Sequence, residues 1–177
     1  AVSVLTDEHF FMGAVDFLLA VREHISLPLL RKAFIIDPVQ VEQSASVNAD
    51  AMLLIAAALS DAQMKELYDA AIECDLEPLV EIHSRAELER VMKLSPDLLG
   101  INNRNLDTFA VSIATTVDII HAIPPDITVI SESGIESGTQ TAMLKNEGVR
   151  GILVGESLVR RDDPTPLIQE LVHAAES

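Results

Sequence analysis

The stretch LPLLRKAFIIDPVQVEQSASVNAD, Leu27–Asp50, decides the fold. Its first half is a short apolar run, Leu29–Lys32, of the kind that forms a strand buried on both faces. Its second half is a helix with both ends marked. Asp37 is an N-cap, Pro38 takes the first helical position, and Asn48 stands where a left-handed C-terminal residue is wanted. One strand followed by one capped helix is a βα unit, and parallel sheets are built from such units.

The unit recurs. Apolar or β-branched runs fall at Val2–Leu5, Leu29–Lys32, Ala51–Ile55, Pro78–Ile82, Leu98–Asn102, Ile127–Ser131 and Gly151–Val154, each followed by a helical pattern. SRAELERVMKL opens on Ser84 with Glu87 three residues later, a capping box, and carries Leu88, Val91 and Met92 on one face. LSDAQMKELYDAAIECD starts its helix at Ser60, and DDPTP introduces the last one. A doubly wound sheet usually shows a glycine-rich turn after its first strand, and neither GxGxxG nor a P-loop occurs. A (β/α)8 barrel instead gathers polar residues at the C-terminal ends of its strands, and Lys32, Glu81, Asn102 with Arg104, Glu132 with Ser133, and Gly155 with Glu156 occupy such ends. The fold class expected is therefore α/β, a TIM-type barrel with seven of eight units, and residues 1–177 read as one partial-barrel domain. Too few strands leave open edges, which predicts self-association or complementation by another fragment.

The 12 basic and 28 acidic side chains give a net charge of −16, which disfavours nucleic acid and anionic membrane surfaces. One cysteine, Cys74, allows neither an internal disulfide nor a multi-cysteine metal site, in keeping with a reducing cytoplasm. No apolar run approaches the roughly 18 residues of a membrane span.

Lys32 stands out as a charge at the end of a buried strand. It can be a solvated strand end, an ion-pair partner or a proton donor at the mouth of a pocket. Glu81, at the end of LVEI, is desolvated enough to serve proton transfer or to pair with a neighbouring cation such as Lys32. His83 reads as a loop histidine, since no second histidine lies at metal spacing. GINNRNL offers amides suited to fixing hydroxyl or carboxylate groups and an arginine suited to an anion, although asparagines also cap turns. TVISESGI and GILVGES end in small residues before helix starts, where backbone amides bind phosphate in barrels; Gly134 and Gly155 would permit its close approach, or serve only as βα turn residues.

Taken in order, SVLTD with FFMG, LRKAFIIDP, ADAMLLIAAALS, LVEIH, GINNRNLDTF, ISESGI and ILVGESLVR resemble the indole-3-glycerol phosphate synthase family over essentially the whole chain. The resemblance implies a cofactor-free, metal-free carbon–carbon lyase of tryptophan biosynthesis. Its substrate would be the phosphosugar–anthranilate conjugate 1-(2-carboxyphenylamino)-1-deoxyribulose 5-phosphate, closed to the indole with loss of carbon dioxide and water. By that resemblance Lys32 is the general acid, Glu81 assists proton transfer, and Asn102 completes the catalytic set. Phe34 and Leu53 line the seat of the aromatic ring, Arg104, Glu132 and Ser133 bind substrate, and Gly134, Gly155 and Glu156 belong to the phosphate loops. The family's first strand, bearing Glu-x-Lys, has no counterpart here, and Ala33 replaces the acidic neighbour of the lysine, so this chain alone is expected to be impaired. The alternative is a catalytically silent phosphate-binding or assembly module derived from the same barrel.

Overall fold

The computed structural model describes residues 1–106 and 108–176; Asp107, in the GINNRNLDTF motif, and Ser177 lie outside the described residues. Two compact units make up the chain. One comprises Ala1–Glu81 with Glu89–Pro96, the other Ile82–Leu88 with Asp97–Ser177.

The first unit runs β1 (Val2–Leu5), α1 (Glu8–Phe11), α2 (Val15–Arg22), β2 (Leu29–Lys32), α3 (Pro38–Ser46), β3 (Ala51–Ile55), α4 (Asp61–Glu73) and β4 (Glu77–Ile82). All pairings are parallel, with Val4 opposite Arg31, Arg31 opposite Met52 and Ile55 opposite Glu81. Because strand side chains alternate, one face carries Val2, Val4 and Leu29, which join Leu18 of α2 and Val47 in a buried cluster. The opposite face carries Leu5, Lys32, Leu53, Leu79 and Glu81. Arg22 ties down the start of β2: it donates to Asn48 O at 3.1 Å and pairs with Asp50, whose carboxylate also accepts from Leu29 N–H at 2.7 Å.

The chain enters the second unit at Ile82, the last residue of β4, returns to the first within α5 (Arg85–Val91), and from Asp97 continues in the second through β5 (Leu98–Asn102), α6 (Ala114–Ile120), β6 (Thr128–Glu132), α7 (Gly138–Asn146), β7 (Gly151–Leu153), α8 (Glu156–Val159) and α9 (Thr165–Glu176). β5, β6 and β7 are again parallel, with Asn102 opposite Glu132 and Glu132 opposite Leu153. The seven strands coincide with the seven runs read from the sequence to within a residue or two at each end.

The βα turns share one device. Asp37, Ser60 and Ser137 each cap a helix, and Gln40, Gln63 and Gln140 return a hydrogen bond to the cap residue's own N–H. The turn at Ser84 departs from the expected box. Glu87 N–H donates to Ser84 Oγ at 3.2 Å, but the Glu87 carboxylate accepts from His83 N–H at 2.9 Å, one residue before the cap. Burial pushes the Glu87 carboxyl upward, while hydrogen bonds from the His83 ring and backbone, the His83 charge and the Ser84 hydroxyl more than reverse it, leaving its pKa below the ordinary value. A lowered carboxyl pKa stabilises the fold above the ordinary carboxylate range and ceases to do so as pH falls through the folded-state value. Glu87→Ala is therefore expected to lose about 1 kcal/mol at neutral pH, and the deficit relative to the parent should vanish on acidification. Urea titrations at a series of pH values would show this.

Asn48 adopts φ 58°, the left-handed conformation expected from the sequence. Among the described residues no helix is long and apolar enough to cross a membrane.

Candidate functional site

Strand alternation separates the two adjacent charges of β2. Arg31 turns toward α3 and is 3 % exposed. Its guanidinium donates to Thr6 Oγ1 (3.1 Å), Gln40 O (2.9 Å), Ser44 Oγ (2.9 Å) and Gln43 Oε1 (2.8 Å), and burial lowers its pKa below the ordinary value. It is a structural tie. Lys32 turns to the other face, where its Nζ lies 3.3 Å from Glu81 Oε2.

That pair is the chemical centre of the first unit. Glu81 is 2 % exposed and the Lys32 side chain 18 %, so an ammonium at the rim reaches a carboxylate beneath the surface. Desolvation strengthens their attraction, and the pair sets a proton donor beside a proton acceptor. Leu53 lies level with Lys32 on the same face, fully buried. Phe34, two residues beyond Lys32, meets Phe10 edge-on with ring centroids 5.1 Å apart and stacks on Phe11 at 6.1 Å. Phe10 and the neighbouring Met12 are largely exposed. Sequence reading picked out Phe34 but passed over Phe10 and Phe11; the signal for them was the FF pair just after β1. Ala33 is buried, 4 % exposed.

In the second unit, the run Asn102–Asn105 divides into four roles. Asn102 shares a face with Glu132, which is 1 % exposed, and its Oδ1 accepts from Arg104 N–H at 3.0 Å. Asn103 turns the other way into the interior. Arg104 pairs with Glu156 Oε2 at 2.5 Å, and Arg160 holds the other oxygen of the same carboxylate. Asn105 Oδ1 accepts from the Thr108 N–H at 2.8 Å and so closes a local turn. Of the asparagines in this run, Asn103 and Asn105 take the turn-holding role that the sequence left open beside a substrate contact.

Beyond β6, Ser133 and Gly134 are both left-handed, with φ 66° and 75°. Glycine is demanded at 134 twice over, since a Cβ there would lie 2.3 Å from Val111 Cγ1. Gly155 differs: a Cβ there would meet nothing within 4 Å, so the backbone before α8 borders open space. The Glu156 carboxylate is committed to two arginines, so any role of this residue toward an anion falls to its backbone N–H. The structure brings Lys32, Glu81, Leu53 and Phe34 together within the first unit, and Asn102, Arg104, Glu132, Ser133, Gly134, Gly155 and Glu156 at the strand ends of the second.

Comparison with known proteins follows the same lines. Residues 1–171 match the family described as indole-3-glycerol phosphate synthase. The indole-3-glycerol phosphate synthase of Priestia megaterium is 46 % identical over 177 residues, covering 99 % of this chain and 69 % of the relative. That of Azospirillum brasilense is 47 % identical over 171 residues, covering 97 % and 65 %. The chain thus spans about two thirds of the length of the curated relatives it matches. Among solved structures, 3-hexulose-6-phosphate synthase from Salmonella typhimurium superposes with a TM-score of 0.82 at 14 % identity, over 98 % of this chain and 86 % of that one. A KGPDC from Streptococcus mutans gives 0.75 at 11 %, over 98 % and 84 %. At such identities these two likenesses concern the fold. The family match and the identities to the Priestia and Azospirillum enzymes go further: this chain belongs to the indole-3-glycerol phosphate synthase family.

Proposed function

We propose that the chain supplies most of the catalytic apparatus of an indole-3-glycerol phosphate synthase, a cytoplasmic carbon–carbon lyase of tryptophan biosynthesis. It would close 1-(2-carboxyphenylamino)-1-deoxyribulose 5-phosphate to the indole with loss of carbon dioxide and water. The observation that carries the reading is the Lys32–Glu81 pair, 3.3 Å apart, with the carboxylate 2 % exposed. Ring closure needs an acid at the ketose oxygen and a second group to accept and return protons, and an ammonium leaning on a desolvated carboxylate supplies both. Lys32 is the acid. Glu81 shuttles the proton and offsets the cationic character that develops during closure. Phe34, with Phe10 and Phe11 against it, and Leu53 provide the apolar seat for the anthranilate ring. Asn102 and Glu132 position the sugar hydroxyls, and Arg104 exchanges Glu156 for an anionic group of the substrate. Gly134 and Gly155, with the Ser133 and Glu156 backbones, receive the phosphate.

In this reading the chain corresponds to seven of the eight units of a (β/α)8 barrel, taken as one domain, and the edge of β1 accepts a strand from a further segment in cis or from another copy. Product formation tests it. The chain joined to the remainder of the Priestia relative is expected to generate indole fluorescence from the substrate. Substrate binding without any indolic product would refute the proposal and favour the silent phosphate-binding module.

A further inference from the structure

Asn103 is no part of the proposed substrate contacts, yet its side chain is bonded at both the amide nitrogen and the carbonyl oxygen. It is 2 % exposed, and its partners Thr116 and Ser131 are at 0 %. Its Nδ2 donates to Ser131 Oγ and to Ser133 O, each at 3.0 Å. Its Oδ1 accepts from Thr116 N–H at 3.1 Å and from Thr116 Oγ1–H at 2.8 Å. The Ser131 and Thr116 hydroxyls lie 2.8 Å apart.

Only one assignment of protons satisfies the whole set. Thr116 N–H can only donate, so the carboxamide oxygen must face it and the amide nitrogen must face Ser133 O. Thr116 then gives its hydroxyl proton to Asn103, and Ser131 gives its own to Thr116 Oγ1. Nothing in the network can rotate without leaving a buried polar atom unpaired, which is costly. The main chain reinforces it: Asn103 N–H donates to Glu132 O at 2.9 Å, and Ser112 N–H to Asn103 O at 3.0 Å.

The consequence lies across one peptide bond. The Ser133 carbonyl and the Gly134 N–H belong to the same planar trans peptide and point in opposite directions. Asn103 and Ser131 lie on the face of the sheet opposite to Asn102 and Glu132. Holding Ser133 O toward Asn103 therefore aims Gly134 N–H toward the face that carries Asn102 and Glu132. It also sustains the left-handed conformation of Ser133, which a non-glycine residue adopts at a cost.

We propose that Asn103 is a positioning residue for anion binding: through the Ser133 carbonyl it aims the Gly134 amide at the substrate's phosphate. This rests on the reading of the Ser133–Gly134 turn as part of the phosphate site. Titration of the chain with inorganic phosphate, followed by the amide NMR signal of Gly134, is the test. In the parent the Gly134 signal should move with phosphate. Asn103→Asp keeps the acceptor for Thr116 and loses the donor to Ser133, so its dissociation constant should rise about tenfold or more. Asn103→Ser, smaller and neutral, carries the same expectation should the aspartate fold poorly. Thr116→Val weakens the network without touching the Asn103–Ser133 bond, and should bind within about twofold of the parent even where its melting temperature falls.

Parent-like binding by a folded Asn103 variant would overturn the inference and leave the phosphate reading standing. So would a loss of binding in Thr116→Val that matches its loss of stability, which marks a purely structural role. A Gly134 signal that phosphate does not move in the parent would overturn the phosphate reading itself, and the inference with it.

Discussion

Lys32→Ala should reduce the rate of indole formation by about two to four orders of magnitude, or roughly 3–5 kcal/mol in the barrier. The size follows from the role proposed for the side chain. In that mechanism a positioned general acid acts in the transition state, so its removal should fall on kcat, while the apolar seat proposed at Phe34 and the proposed phosphate contacts would still bind the substrate and hold KM nearly constant. The variant should fold. Lys32 sits at the rim of its strand with part of its side chain exposed, and a buried carboxyl that loses an ammonium partner can take up a proton. Lys32→Arg sharpens the point. It keeps the charge beside Glu81 and, if only charge mattered, would restore the rate; a guanidinium does not release its proton, so the expected rate stays far below that of the parent. Stopped-flow fluorescence of the indole product, with circular dichroism to check the fold, measures both. Parent-like turnover by Lys32→Ala would remove the acid from the mechanism.

Arg31→Met should be the most destabilising single substitution in β2, costing about 3–5 kcal/mol. Four hydrogen bonds leave together, and two of the acceptors that met them, Thr6 and Ser44, are buried, while the Gln40 carbonyl belongs to a half-buried residue and Gln43 is exposed. Hydrogen bonds to a charged group are worth more than neutral ones, and acceptors abandoned in the interior lose water as well as their partner. Methionine fills most of the volume, so the loss reports the polar network and not a cavity. Urea unfolding should show a lower midpoint at unchanged slope. A loss below about 1 kcal/mol would mean that the acceptors rehydrate or re-pair. Because Arg31 precedes Lys32 and anchors the end of its strand, kcat should suffer less in Arg31→Met than in Lys32→Ala.

Comparing those two neighbours shows what was legible in the sequence and why. The strand Leu29–Lys32 and the helix that follows were readable because apolar runs, N-caps and a left-handed asparagine are local signals. The sequence also marked Lys32 and Glu81 as strand-end charges, and the register then set them 3.3 Å apart. Arg31 was not separable from Lys32 by pattern. Its task depends on alternation toward α3 and on acceptors lying 9 to 25 residues away in the chain. The asparagine run shows the same limit: type and spacing suggested four similar groups, and only the turn geometry sent Asn103 inward and Asn105 into its own loop. Glu87 was read as the partner of Ser84 N–H and instead serves His83, one residue earlier, a difference in turn path that no spacing rule contains. Phe10 and Phe11 stood in the FFMG motif without a role, which came only from α1 folding them against Phe34.

The pairing of Lys32 with Glu81 as one proton-transfer unit is tested most directly by a double-mutant cycle on single-turnover indole formation, using Lys32→Ala, Glu81→Gln and the two combined in the chain joined to its relatives' remaining third. Groups that act together are lost together, so the double variant should be no more than about threefold slower than the slower single one. Rate losses that multiply would show two independent contributions and contradict the account.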